Sequence, residues 1–236
     1  MKTVPSDWRY GLLLGIFVTS LTAANYLAAK IVVLGDVAGI QLLVPAGVLA
    51  YAVTFTVTDI IGEVYGKGPA TTAVLIGFVT QLLIPVYSIF ASLLPTAPFQ
   101  SGIEGVLNSV LGVAPNIVLA SLTAYIVSQN HDVWAFHFWR RLTKGRHLWL
   151  RNNASTAVSQ LIDTVIFIVL AFGVLPSIIG GIGIPWELIP ATIAGQYIVK
   201  LLITFADTPF VYFGVYLLRQ GPGIGKAVGE RVAGGF

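Results

Sequence analysis

Residues 148–172 read LWLRNNASTAVSQLIDTVIFIVLAF, and their reading decides the fold. The stretch opens on a polar cluster, Arg151, Asn152 and Asn153, and continues as an apolar helix into which Gln160 and Asp163 are set. Ser155 is placed to cap the run from Thr156 onward by accepting a bond from an orphan backbone N–H. Gln160 and Asp163 are three residues apart and share one helical face, with Thr156 and Thr164 close to it. In a soluble core helix Asp163 would be an ordinary cap or hydrogen-bond partner. Composition excludes that setting: 56% of the residues are hydrophobic and 10% charged, and the mean hydropathy is +0.85, too apolar for a soluble domain. Asp163 is then an intramembrane carboxyl. At a helix centre it costs about 2.5–3.5 kcal/mol on insertion scales, so it calls for a partner or a role.

The 236 residues supply six or so spans and little else, which predicts an all-α polytopic membrane protein occupying 1–236 as one membrane domain. The expected spans are Tyr10–Leu34, Ile40–Ile61, Ala70–Leu94, Val106–Ser128, Ser155–Val174 and Leu188–Leu218. Pro45, Pro85, Pro115 and Pro209 fall inside spans, where each removes a backbone bond and favours a kink. Pro69, Pro95, Pro98, Pro176 and Pro185 fall in connections. A helix through all of 188–218 would reach about 46 Å at 1.5 Å per residue, so tilt, a break near Asp207-Thr208-Pro209 or a cytoplasmic extension must absorb the excess. The first apolar run is too long for a cleaved signal, whose apolar core has about 7–15 residues, and is expected to stay as an anchor.

Cations set the orientation. Lys2, Arg9, Lys67, Arg140, Arg141, Lys144, Arg146, Arg151, Arg219, Lys226 and Arg231 all fall on one side of the expected map, leaving Lys30 and Lys200 of the 13 Lys and Arg within spans. The positive-inside rule then places both termini in the cytoplasm. Trp8, Trp134, Trp139, Trp149 and Trp186 lie at span ends or in connections, as an interfacial aromatic belt requires. The connection 131–150 interleaves aromatics with bases. An interfacial segment on anionic lipid explains it more economically than nucleic-acid stacking. His131, His137 and His147 lack metal-ligand spacing and are assigned no chemistry. Gly11 and Gly15 form a small-xxx-small pair, and 221–236 reads as a flexible tail.

Polar residues inside spans form the candidate site: Asn25 and Lys30 on the first, Asp59 and Glu63 on the second, Gln81 on the third, Asn116 on the fourth, Gln160 and Asp163 on the fifth, and Gln196, Lys200 and Asp207 on the sixth. Gln196, Lys200 and Asp207 line one face, as do Asp59 and Glu63. Asp163 and Lys200 both fall near the bilayer middle, where each is the cheapest partner for the other. The amides of Gln160, Gln196, Asn116 and Asn25 exceed what such a pair needs. Together the set reads as a small polar cavity for a flat, polar or zwitterionic solute, with Asp163, Gln160, Lys200, Gln196, Asn25, Asn116, Asp59 and Glu63 as candidate binding residues.

The same residues carry a resemblance. N-Y-L-A-A-K at Asn25–Lys30, D-I-I-G-E-V-Y-G at Asp59–Gly66, L-W-L-R-N-N-A-S-T-A-V-S-Q-L-I-D-T at Leu148–Thr164, and Y-I-V-K followed by D-T-P-F at Tyr197–Phe210 resemble the queuosine precursor transporter family of prokaryotic inner-membrane proteins, once labelled vitamin uptake transporters. The likeness runs from about Asn25 to Tyr212; its long Arg-Asn-Asn through Asp-Thr run is the specific part. It implies import of 7-cyano- and 7-aminomethyl-7-deazaguanine for making the tRNA nucleoside queuosine. Such a base presents adjacent N–H donors and a carbonyl on its pairing edge. Asp163 is the first choice for accepting from those donors, with Asp59 or Glu63 second.

An enzyme is not expected: the chain has no cysteine, no H-E-x-x-H and no G-x-S-x-G. It also lacks G-x-x-x-x-G-K-[ST] and hydrolyses no nucleotide alone. A membrane subunit that borrows an external ATPase, and a carrier of another vitamin-like solute, are the alternative readings. No cofactor or metal is expected. The partners are the lipid bilayer and a small nucleobase-like solute, not nucleic acid, with a homodimer left open.

Overall fold

The computed structural model describes residues 5, 7–37, 40–142 and 148–219. It is mostly helical: α1 Trp8–Leu27, α2 Val48–Tyr65, α3 Lys67–Gln81, α4 Leu83–Ser92, α5 Glu104–Leu142, α6 Leu148–Ile168, α7 Leu175–Ile179 and α8 Ile189–Arg219. Among the described residues, five helical stretches are long and apolar enough to cross a membrane: Trp8–Leu27, Val48–Tyr65, Lys67–Ser92, Pro98–Ser128 and Ala157–Ile179. Within them only 28–41% of the tested residues are buried by protein, and Leu75, Val79, Val86, Tyr87 and Phe90 of α3 and α4 point outward. Helices that apolar on their outer face are covered by lipid, and the chain is a multi-pass membrane protein. α8, a helix of 31 residues, occupies the place of the expected sixth span.

The largest departure from expectation lies between the first two spans. In place of helix up to Leu34 and from Ile40, the chain makes an antiparallel hairpin, β1 Ile31–Val37 with β2 Ile40–Pro45, in the register Ile31↔Pro45 to Val37↔Ile40. β-branched residues dominate its two ends, and a pleated, half-buried surface suits them. The register slips between Val33 and Gly35, a bulge of the kind glycine marks in strands. Pro45 is therefore the end of a strand rather than a helix kink. Lys30, expected within a span, stands in the turn after α1 with an exposed side chain; its carbonyl accepts from Ala46 N–H at 2.8 Å.

Two further boundaries move. α6 already runs from Leu148, so Ser155 lies within the helix and not at its start. The connection expected over 131–150 is helical up to Leu142 and again from Leu148; residues 143–147 and the tail 221–236 lie outside the described residues. Pro115 and Pro209 sit inside α5 and α8 as expected.

The chain divides into two compact units, one of 1–24, 49–81 and 201–236, the other of 25–48 and 82–200. In the first, Tyr10, Leu13, Phe17 and Leu21 of α1 recur at helical spacing and pack with Val57, Ile60, Ile61 and Val64 of α2 and Ala73 of α3. The Tyr65 hydroxyl donates to Asp7 Oδ2 at 2.9 Å, the Tyr10 hydroxyl to the Pro69 carbonyl at 3.1 Å, and Gln81 Nε2 to Thr22 Oγ1 at 3.0 Å. In the second unit, Ile117 and Ala120 of α5, Ile168 of α6 and Ala171 and Phe172 beyond it form an apolar cluster with Ala28 and Ile189.

The end of α6 shows why sequence and backbone agree locally. Pro176 has no N–H to return to Phe172, four residues back. The helix widens into a π segment over 169–174, and the Phe172 carbonyl accepts instead from Ile184 N–H at 3.0 Å. The loop between is thereby folded back onto the helix end.

Candidate functional site

Two hydrogen bonds fix how α5 and α6 lie together. Ser128 Oγ donates to Asp163 Oδ1 at 3.4 Å, and His131 Nδ1 is 3.0 Å from Ser159 Oγ. Rising numbers on α5 meet falling numbers on α6, so the two helices are antiparallel. α8 joins at the same level, where Lys200 Nζ meets Asp163 Oδ2 at 2.6 Å. The Lys200 side chain is 4% exposed and that of Asp163 20%, which makes this a nearly buried ion pair with no net charge. Tyr197, one turn before Lys200, donates its hydroxyl to the Ala157 carbonyl at 3.2 Å. Thr164 turns its hydroxyl to the Gln160 carbonyl at 2.8 Å and so belongs to its own helix.

Gln160 stands one turn before Asp163 on α6, and Gln196 one turn before Lys200 on α8, so the ion pair carries an amide on each of its two helices. Both amide oxygens, Gln160 Oε1 and Gln196 Oε1, are buried without a donor. A buried acceptor left unpaired costs about 1–3 kcal/mol, so each of these oxygens calls for a donor that the described residues do not supply. Asp163 and Lys200 are thus in contact, with Gln160 and Gln196 one turn away on their own helices.

Asn116 is not part of this group. It lies twelve residues before Ser128 on α5, about 18 Å along the helix. There its Nδ2 donates to the Gly180 carbonyl at 2.6 Å, in a loop where Gly180 and Gly181 have φ of 82° and 107°. A Cβ on Gly181 would stand 2.7 Å from Asn116 Nδ2, so glycine is required twice over, by conformation and by approach. Asn116 Oδ1 is also buried without a donor. Asn25 is buried in the last turn of α1, within the second unit. Asp59 and Glu63, exposed on α2, belong to the first unit. The Asp207 side chain lies outside the described residues.

Sequence reasoning missed Ser128, Ser159 and His131, which partner the site, and Ser88 of α4, whose buried hydroxyl has no partner. Serine and histidine in an apolar helix carry little signal until the register of the neighbour is known. Helix pairing with α6, at 128 against 163 and 131 against 159, supplies it. Gly195, beside Gln196, also gave no warning: a Cβ there would strike the Leu43 carbonyl of β2. The hairpin backbone therefore rests directly on α8 next to the site.

The pattern of a family described as putative vitamin uptake transporter matches residues 45–214. Among curated proteins, the probable queuosine precursor transporter of Bacillus subtilis (strain 168) is 36% identical over 169 residues, covering 70% of this chain and 69% of that protein. The queuosine precursor transporter of Escherichia coli (strain K12) is 30% identical over 126 residues, 53% of this chain and 54% of that protein. No solved structure matches.

Proposed function

The chain belongs to the putative vitamin uptake transporter family, a family of transporters and not of enzymes, and on that premise we propose that it imports queuosine precursors across the cytoplasmic membrane. The solutes are 7-cyano-7-deazaguanine and 7-aminomethyl-7-deazaguanine, in keeping with the names of its two relatives. The observation that carries the reading is the pair of buried acceptors, Gln160 Oε1 and Gln196 Oε1, flanking the Asp163–Lys200 ion pair. A deazaguanine pairing edge offers adjacent N–H donors for such oxygens and a carbonyl for the Lys200 ammonium.

In this reading the amides recognise the base before Asp163 does. The carboxylate is already engaged by Lys200 and Ser128, so it reaches the donors only when Lys200 turns to the base carbonyl. An analogue lacking the donors leaves the two oxygens as they are, with no gain on binding, which is how such sites discriminate. Pro115 and Pro209 lie inside the continuous helices α5 and α8, where each lacks the N–H of a helical bond, and in this reading the helices bend there as the site opens to one side and then the other.

The test is uptake in a host that neither makes nor imports deazaguanine, scored as queuosine in its tRNA at nanomolar external base. Unmodified tRNA with the protein present in the membrane, or competition by riboflavin or biotin equal to that of the deazaguanines, refutes the proposal.

A further inference from the structure

A neutral base needs hydrogen-bonding groups and no buried charge, yet the site holds a carboxylate and an ammonium 2.6 Å apart. Two amides would serve recognition without the desolvation of two ions. Around the pair runs a line of groups that exchange protons. From α5, Ser128 Oγ reaches Asp163 Oδ1. One turn further along α5, His131 Nδ1 meets Ser159 Oγ at 3.0 Å. Ser159 lies four residues before Asp163 and so on the same face of α6. From α8 come Lys200, on the carboxylate, and Tyr197, whose hydroxyl is held by the Ala157 carbonyl. His131 lies just past the apolar stretch Pro98–Ser128, on the helix end that leads to the basic run Arg140–Arg146. Imidazole and carboxylate are the side chains from which proton relays in transporters are built, and an ionisable residue within a membrane helix is by default a candidate for function.

We propose that transport is proton-coupled, with Asp163 as the proton-binding group, Lys200 as its internal counterion, and His131 with Ser159 as the route by which the proton leaves toward the cytoplasm. The inference rests on the ion pair being at the transport site. In the outward-facing state one external proton bonds to the Asp163 carboxylate, giving the neutral acid. Lys200 keeps its own proton, loses its ionic partner and donates to the carbonyl of the bound solute. Once the site faces inward the solute departs, and the Asp163 proton passes by way of the Ser159 hydroxyl to the neutral His131 imidazole and then to water. The carboxylate recovers Lys200. One solute and one proton have moved inward, so the cycle carries one positive charge for a neutral base.

The experiment uses the full chain in lipid vesicles containing a pH-sensitive dye, with radiolabelled 7-cyano-7-deazaguanine outside. A gradient of one pH unit, acid outside, should concentrate the base inside by about tenfold, the free energy of one proton crossing that gradient, and the dye should report acidification at the rate of base entry. His131→Gln should lose the gradient-driven accumulation while eluting as a single folded species in detergent with the melting temperature of the parent, which shows that it folds. Accumulation indifferent to the pH gradient, driven by sodium instead, or unchanged in His131→Gln overturns the proposal. A second arm needs no solute: infrared difference spectra between vesicles in acidic and in neutral buffer should show a carboxylic-acid carbonyl band that is lost in Asp163→Asn and kept in Glu63→Gln. Absence of that band overturns the proton site whatever the cargo. If the band is present but no deazaguanine crosses, the substrate reading falls and the proton site stands.

Discussion

Removing one member of the Asp163–Lys200 pair should harm the two partners unequally. At 2.6 Å the attraction between the charges is about 6 kcal/mol with an effective dielectric near 20, most of it offset by the desolvation both ions suffer. Asp163→Asn leaves an ammonium that is 4% exposed and has lost its counterion, so it should destabilise the protein by about 3–5 kcal/mol. Lys200→Met leaves a carboxylate that is 20% exposed and still accepts from Ser128, so its cost should fall toward the lower end of that range. The double variant has no stranded charge and should recover to within about 1 kcal/mol of the parent. It should nevertheless remain inactive, because the charges are retained for the transport cycle. Thermal unfolding in detergent followed by size-exclusion recovery gives the stability, and uptake of labelled base gives the activity. Single variants as stable as the parent would refute the reasoning from buried charge. A stable double variant that transports would refute the functional role.

Gln196→Leu removes a buried unpaired oxygen while keeping the volume, so it should stabilise the fold by about 1 kcal/mol and abolish base uptake; loss of stability in the same melting assay would show that the oxygen has a partner. Gly195→Val drives a side chain into the Leu43 carbonyl and should cost several kcal/mol, about 1–3 for overpacking plus the displaced hairpin, measured by yield and melting. Pro176→Ala restores an N–H that competes for the Phe172 carbonyl, so amide exchange at Ile184 should speed up while Asp163-dependent uptake persists. For topology, a cysteine replacing Lys67 should react only from the cytoplasm and one replacing Glu104 only from outside, read with an impermeant thiol reagent in intact cells; labelling of position 67 from outside would reverse the orientation drawn from the cation count.

The helices were legible because apolar length is a strong signal, and the α6 motif was legible because Asp163 is costly where it stands. Its pairing with Lys200 followed from depth alone. The hairpin was not legible for a physical reason: a run such as Ile31-Val32-Val33-Leu34 is as apolar as a span, and hydropathy cannot distinguish β-branched strand from buried helix over so short a stretch. Gly35 and Asp36 did fall between the first two expected spans, but a connection between two helices is marked by the same residues as a bulge or hairpin. Asn116 was grouped with the ion pair because a polar residue was counted by span and not by height along the helix. Ser128, Ser159 and His131 could be found only after α5 and α6 had been set side by side.

Height along α5 also says what the transport step must open. Between Asn116 and Ser128 the buried residues are Ile117, Val118, Ala120 and Ala124, and Ile117 and Ala120 pack with Ile168, Ala171 and Phe172. An apolar cluster that includes Ile117 and Ala120 therefore stands along the roughly 18 Å of α5 between Asn116 and Ser128. A polar base cannot cross that cluster while it is packed, since each desolvated donor would cost about 1–3 kcal/mol. The points of weakest helical bonding lie at one end of it: Pro115 beside Asn116, and the π segment 169–174 with Pro176 just beyond. Pro115 leaves the carbonyl four residues before it without its helical donor, and the Phe172 carbonyl is held from outside the helix by Ile184 N–H. The alanines at 120, 124 and 171 offer little side chain to obstruct a shift of the helix ends. Opening at the Asn116 end would then admit the base to the ion pair, while the His131 end stays closed.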